Sequence, residues 1–364
     1  MTLSLYFTRR FLKVVAQVFL VFFGILMLID MVEQLRRFST QGIGLAGAAE
    51  LAILNIPASL YRILPLIVIF ASIALFLNLA RSSELVVVRA SGRSGLRFLL
   101  APAGMAVVLG AGVVAVLNPL VAATSKHYDA LYTRQAHGSE AAFSINESGL
   151  WLRQGGVDGQ TVIRAGRSDL DGTRLFAASF LIFDAAGIPS QRIEAEEATL
   201  RTGEWLLIRA KYWDLTNRNP EVSAHLRDSA SLPSELTPER IRDSFGDPSA
   251  IPIWLLPDYI KRLELAGFTA RSHRVWLQME LALPLLLGTM VLIAAGFTMR
   301  HARAGRTGQM VLFALLGGFG IFFLRNFAQV LGENGQIPVA LAAWSPPVAA
   351  LLLSLGLLLH LEDG

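Results

Sequence analysis

The chain has 364 residues, 53% of them hydrophobic and 16% charged, whereas soluble domains carry about 25% charge. That balance excludes an ordinary soluble enzyme of this length, a disordered chain and a collagen. No cysteine is present, which excludes disulfides, thiol nucleophiles and cysteine-ligated metals.

Six apolar stretches predict bilayer spans, each long enough to cross about 30 Å of hydrocarbon at about 1.5 Å per residue. The first covers 14–35. Its basic lead (Arg9, Arg10, Lys13) resembles a signal peptide, but the apolar run is too long and no small-x-small cleavage site closes it. Asp30, Glu33, Gln34 and Arg37 share one face at its far end, with Arg36 about 100° away. Two readings stand side by side there. One is a charged helix end whose arginines snorkel to headgroups. The other is an anion site in which guanidinium forks grip phosphate oxygens.

The second span lies within 51–80, and Arg62 is placed at a depth similar to Arg36 and Arg37. The loop 81–97 holds a two-turn cytoplasmic helix, with Ser82 or Ser83 as cap, Glu84 in the first turn and Gly92 as stop. Its aliphatic run (Leu85, Val86, Val87, Val88) buries too little to be stable alone. It docks on a partner or lies on headgroups. The third span is 98–123.

Residues 124–250 form the large hydrophilic insert. Turn signals such as Gly155-Gly156, Asp171-Gly172 and Thr202-Gly203 separate strand-like runs at 149–153, 161–164, 179–184, 192–200 and 205–213. This spacing predicts a β-sandwich, jelly roll or barrel. Residues 251–266 read as an interfacial amphipathic helix with Trp254, Tyr259, Lys261 and Arg262 at headgroup depth. The last spans are 275–298, 310–331 and 337–361. Glu280 and Arg325 sit deep in the fourth and fifth, where an ionisable group is a functional hypothesis by default. A structural ion pair between them, or with a second subunit, is expected over a transport role.

Basic residues cluster at 9–13, 81–97 and 300–306, and the 332–336 loop has none. The positive-inside rule then puts both termini in the cytoplasm and the insert outside. Arg36 and Arg37 are the exception.

Several chemistries are missing. No lysine follows a glycine, so a Walker A loop is absent, and no histidine precedes a glutamate as HExxH requires. There is no Gly-x-Ser-x-Gly elbow. The six histidines are scattered, and no metal site or resident cofactor is expected.

The run Ser83-Glu84-Leu85-Val86-Val87-Val88-Arg89-Ala90-Ser91-Gly92 resembles the coupling-helix motif of the lipopolysaccharide export permeases LptF and LptG. Val32-Glu33-Gln34-Leu35-Arg36-Arg37 is similar to the end of the first helix on the LptG side of that family. Ile56-Pro57 through Pro65, and Tyr259-Ile260-Lys261-Arg262-Leu263, also fit. The resemblance covers essentially the whole chain and implies an α-helical membrane bundle, three spans plus three, with an inserted periplasmic β-jellyroll domain. Its divisions would be 1–123 (with the coupling helix near 82–92), 124–250 and 251–364.

The resemblance further implies a non-catalytic inner-membrane permease subunit that extracts lipopolysaccharide. Its partners would be the sister permease LptF, LptC and two copies of the ATPase LptB, which uses the ATP and Mg. Glu84, Leu85, Val88 and Arg89 would couple to the ATPase. Arg36, Arg37, Arg62, Asp30 and Glu33 would form the headgroup site, Asp30 replacing a family lysine and Arg62 standing one turn from Ala58, where another lysine is expected. Phe19, Phe22, Phe23, Leu26, Phe70, Phe322 and Phe323 would line the acyl-chain cavity. The competing readings are an LptF-type subunit, a membrane-embedded enzyme on envelope lipids and a passive membrane anchor.

Overall fold

The structure is a computed structural model. It describes residues 2–38, 44–82, 84, 95–137, 143–146, 149–156, 159–169, 172–184, 187–234, 236–237, 241, 247–298 and 307–363. Two compact units divide the chain. One takes Met1–Asp129, Ile251–Trp254 and Arg271–Gly364, and the other takes Ala130–Ala250 and Leu255–Ala270.

In the first unit, apolar composition becomes long helices. These are α1 (Thr2–Arg37), α2 (Leu45–Arg62), α3 (Leu64–Arg81), α4 (Gly95–Gly112) and α5 (Asn118–His137), the last continuing into the second unit. After the α6 segment of the second unit (Leu256–Leu265) come α7 (Arg271–Thr298), α8 (Thr307–Glu333) and α9 (Val339–Asp363). Among the described residues, six spans are long and apolar enough to cross a membrane, each overlapping a predicted one. The second is interrupted. Pro65 stands in the first turn of α3, lacks an N–H and breaks the ladder at Ile63, so α2 and α3 are separate helices.

The third span joins α4 to α5 through a π-helical turn, Val113–Leu117. Pro119 explains it. The proline has no amide to give the carbonyl four residues back, that of Ala115, and the ladder loosens there. The Trp254 indole N–H takes over, donating to the Ala115 carbonyl at 3.2 Å.

The spans pack through small residues, as membrane helices do. A Cβ on Gly110 would lie 2.6 Å from the Pro284 Cα, and one on Gly318 would collide with the Ile69 Cδ1. Helix α7 is the centre of this packing, with Leu287, Met290 and Val291 fully buried. Arg271 closes the α8–α9 turn, donating to the carbonyls of Gly332 and Ile337 at 2.6 Å each. A cation on the exposed carbonyls of a helix C-terminus is favourable. Helices α1 and α8 leave long apolar faces open, with Leu20, Val21, Ile25, Leu28 and Val32 exposed on one and Phe313, Leu316, Phe323 and Phe327 on the other.

The second unit holds one antiparallel sheet of seven strands in sequential order. They are β1 (Phe143–Asn146), β2 (Gly149–Gly156), β3 (Gly159–Ser168), β4 (Arg174–Phe183), β5 (Pro189–Arg201), β6 (Glu204–Asp214) and β7 (His225–Pro233). The inserted β domain expected from sequence is present, and its five predicted runs are β2 to β6. Its described strands follow one another as a meander.

A crease crosses the sheet. Buried positions alternate with period two, then step by three on four strands together. They run Ile163, Ala165, Ser168 on β3 and Phe180, Ala178, Leu175 on β4. They run Ile193, Ala195, Ala198 on β5 and Tyr212, Ala210, Leu207 on β6. The row Gly166, Ala177, Glu196, Arg209 and Asp228 drops out of the pairing while the register on either side is unchanged. Ala177 and Arg209 carry it in the left-handed region, at φ 50° and 51°. Glu196 and Arg209 pair as ions along the same row. On the inner face Phe180 and Trp205 meet edge to face, centroids 6.1 Å apart, and both are fully buried.

The units divide the chain differently from the expected boundaries. Helix α5 runs to His137, well past residue 124, and α6 belongs with the sheet rather than with the last three spans. Helix α6 is amphipathic as expected, burying Leu256, Ile260 and Leu263 and exposing Lys261, Arg262 and Glu264.

Candidate functional site

Four side-chain clusters of the helical unit bear on function. The first is the far end of α1. One helical turn there places Glu33 between Arg36 and Arg37, at 3.5 and 3.1 Å. The Arg36 side chain is 80% exposed and that of Arg37 46%. Of the shared face predicted for Asp30, Glu33, Gln34 and Arg37, two members also reach other helices. Asp30 turns to α2, where both carboxylate oxygens accept from Asn55 Nδ2 at 3.0 and 3.1 Å. Gln34 is buried and donates to the Tyr128 hydroxyl at 3.0 Å. The exposed group is therefore Glu33, Arg36 and Arg37.

Arg62 does not join it. Helices α1 and α2 run antiparallel, since Asn55 meets Asp30 while Leu60 lies in the cluster that packs Phe22 and Phe19. Seven residues beyond Asn55, Arg62 sits about 10 Å further along the axis, away from Arg36 and Arg37. Its exposed side chain is at a different depth from the one expected, because the two helices of the second span cross the unit in opposite sense to α1.

The second cluster is apolar. A cavity of about 310 Å³ lies among Phe19 and Phe23 of α1, Ile53, Ile56, Pro57 and Leu60 of α2, and Leu117, Leu120 and Val121 around the π turn. Phe22 faces elsewhere. It meets Phe70 at 5.6 Å between centroids, and Phe70 meets Phe319 edge to face at 6.5 Å. Phe319 is the aromatic that the sequence reading missed, one turn from Phe322, which pairs with Phe323 at 6.2 Å. Leu26 packs on the Ile56–Leu60–Ile67 core.

The third cluster is polar and deep. Glu280 is fully buried. Its Oε2 accepts from the Tyr61 hydroxyl and, at 3.2 Å, from Asn118 Nδ2. The Asn118 Oδ1 in turn accepts from the Ile253 amide at 2.8 Å. The π turn before Pro119 thus aims Asn118 at both partners. The direct ion pair expected between Glu280 and Arg325 is absent among the described residues. Arg325 is buried, 9% exposed, and the two charges interact across a gap. The neutral donors Tyr61 and Asn118 both hold Glu280 through Oε2. Each is a polar residue inside an apolar run, which is the signal that could have found them.

The fourth cluster joins α1 to the residue after α3. Glu84 accepts from Arg10 Nη1 at 2.6 Å, from Ser82 Oγ at 2.8 Å and from the Tyr6 hydroxyl at 3.3 Å. Partial burial opposes its charge, but the Arg10 and Ser82 hydrogen bonds and the Arg10 charge outweigh it. The carboxyl sits below its usual range. Leu85, Val88 and Arg89, the other expected coupling residues, lie outside the described residues.

Three spans, an antiparallel β domain and three more spans define the class: a multi-pass membrane protein with a folded domain inserted at its midpoint. The sequence profile of the lipopolysaccharide export system permease LptF/LptG family matches residues 5–360, and the chain belongs to that family. It is similar to the lipopolysaccharide export system permease protein LptG of Escherichia coli K12, 25% identical over 334 residues, 92% of this chain and 91% of that protein. It is also similar to LptG of Haemophilus influenzae Rd, 23% identical over 367 residues, 100% of this chain and 99% of that protein. The chain is thus a permease of lipopolysaccharide export and a multi-pass inner-membrane protein.

Proposed function

We propose that the chain is the LptG-type subunit of an ATP-driven extractor that lifts lipopolysaccharide out of the inner membrane. The likeness to two LptG proteins over more than nine-tenths of every chain compared carries this reading. Its partners are the sister permease LptF, an LptB ATPase dimer that binds and hydrolyses ATP, and LptC. Both termini face the cytoplasm and the β domain faces the periplasm.

Exposed arginines at the periplasmic end of α1 suit an anionic headgroup, since a guanidinium fork matches phosphate geometry. Glu33 restrains both side chains and moderates their charge. The open apolar faces of α1 and α8 suit contact with a second bundle and with acyl chains. Withdrawing a lipid with several chains costs tens of kcal/mol at about 0.8 kcal/mol per CH₂. An apolar protein surface must offset most of it, and the ATPase supplies the remainder by closing the bundles.

The test is purification from membranes with partners quantified, followed by photocrosslinking from positions 36 and 37. The expected result is an ATPase and a second permease in fixed ratio, with lipopolysaccharide crosslinked at both positions. A chain that purifies alone would overturn the reading.

A further inference from the structure

The Arg10–Glu84 contact spans 74 positions of sequence. It is more than a surface ion pair. Arg10 Nη1 also donates to the Tyr6 hydroxyl at 2.9 Å, and that hydroxyl donates to Glu84, so three groups close a ring. Both charged side chains are about two-thirds covered, at 27% and 31% exposure. The helix beneath is fixed. Phe7 and Phe11, which bracket Arg10, are 3% and 0% exposed, and Phe7 meets Phe98 edge to face at 4.5 Å. Arg10 therefore has a set position from which to hold Glu84.

We propose that Arg10 is a positioning residue that clamps the start of the ATPase-coupling segment onto α1. Motion imposed on that segment then passes into α1 as a rigid body. The inference rests on the reading above, that the segment following Glu84 meets an ATPase. Helix α1 suits the task. It runs unbroken from Thr2 to Arg37, contains no proline, and spans about 40 Å between Arg10 and Arg37 at about 1.5 Å per residue. Its far end carries Glu33, Arg36 and Arg37. One helix therefore joins the coupling segment to the cationic end with no intervening joint. The Glu84 carboxylate faces α1 here, held by Arg10 and Tyr6.

The test uses the whole complex in proteoliposomes containing lipopolysaccharide, with an acceptor protein for the released lipid. ATPase retention, ATP hydrolysis and lipid released per ATP are read separately. Arg10→Glu is expected to keep the ATPase bound, leave hydrolysis within about twofold and lower lipid released per ATP at least tenfold. Arg10→Lys keeps the charge and is expected to lose less than threefold. The exchange Arg10→Glu with Glu84→Arg is expected to recover most of the loss, which a defect that does not run through this pair would not do. Because the chain has no native cysteine, the pair Arg10→Cys with Glu84→Cys gives an independent check with a short thiol crosslinker.

Wild-type release by Arg10→Glu would overturn the proposal. So would failure of the crosslink, or a Glu84→Arg variant that sheds the ATPase and is not rescued by the exchange, which would make Glu84 a direct ATPase contact. A wild-type chain carrying no ATPase, with the crosslink intact, would instead overturn the functional reading and take the coupling role with it.

Discussion

The cluster around Glu280 and the cluster around Glu33 use similar chemistry in opposite settings. Glu280 is fully buried and draws donors from two other segments, Tyr61 of α2 and Asn118 of α5. Glu33 is 39% exposed, and its ion-pair partners are one turn away on its own helix. A buried carboxylate must have its hydrogen bonds supplied by the fold. An exposed one shares them with water and is replaceable. The first cluster therefore holds helices together, and the second leaves its cations within reach of a ligand.

The sharpest way to break this contrast is to remove the buried acceptor. Glu280→Ala strands the Tyr61 hydroxyl and the Asn118 amide in an apolar interior. It is expected to destabilise the helical unit by about 3–5 kcal/mol, seen as a fall of several degrees in Tm in detergent. Unchanged Tm would show that the network is not structural. Asn118→Ala removes one donor to Glu280 and the acceptor for the Ile253 amide, and about 2–3 kcal/mol is expected. Paired Arg36→Ala and Arg37→Ala is expected to leave Tm nearly unchanged, since exposed ion pairs contribute about 0–1 kcal/mol. The same variant should lose most of the lipopolysaccharide that copurifies with the complex. A loss of Tm as large as that of Glu280→Ala would erase the distinction between the clusters.

The smallest effect is a pH response in the sheet. Lys211 at 2.6 Å and the Trp213 indole at 2.7 Å hold the exposed Glu221 carboxyl below its usual range. A depressed carboxylate contributes above its unfolded value and loses that contribution as pH falls through the folded value. The pair should therefore persist through neutral pH and open only in acid, below the ordinary glutamate range. Trp213 fluorescence, taken as the difference from Glu221→Gln, should report it. A transition near neutral pH would contradict the assignment.

Much of the fold was legible because local composition decides it. Long apolar windows locate helices wherever they pack, and glycine-rich turns bracket β2 to β6. Other features arise between segments. The split of the second span shows in Pro65 only once the helix is known to pass through it. Strands β1 and β7 are short or polar, and nearly every residue of β7 is exposed, so no hydrophobic alternation marks it. The pairings of Asp30 with Asn55 and of Glu280 with Tyr61 and Asn118 join positions remote in sequence, and helix spacing cannot rank them against Arg325. Arg36 and Arg37 were readable as cations out of place. Arg62 was misplaced because depth along an antiparallel helix depends on a register that one sequence does not reveal.

The crease in the sheet has a consequence for how this domain tolerates change. Each of β3, β4, β5 and β6 carries one residue more than strict alternation needs, and the surplus residues stand side by side at Gly166, Ala177, Glu196 and Arg209. Deleting one of them would restore an unbroken alternation to its own strand. It would also turn half of that strand inside out against neighbours that keep theirs. The harm of a single deletion would come from mismatch rather than from the loss of any contact. Matched deletions across the whole row, Asp228 of β7 included, are the change that would flatten the sheet without scrambling it.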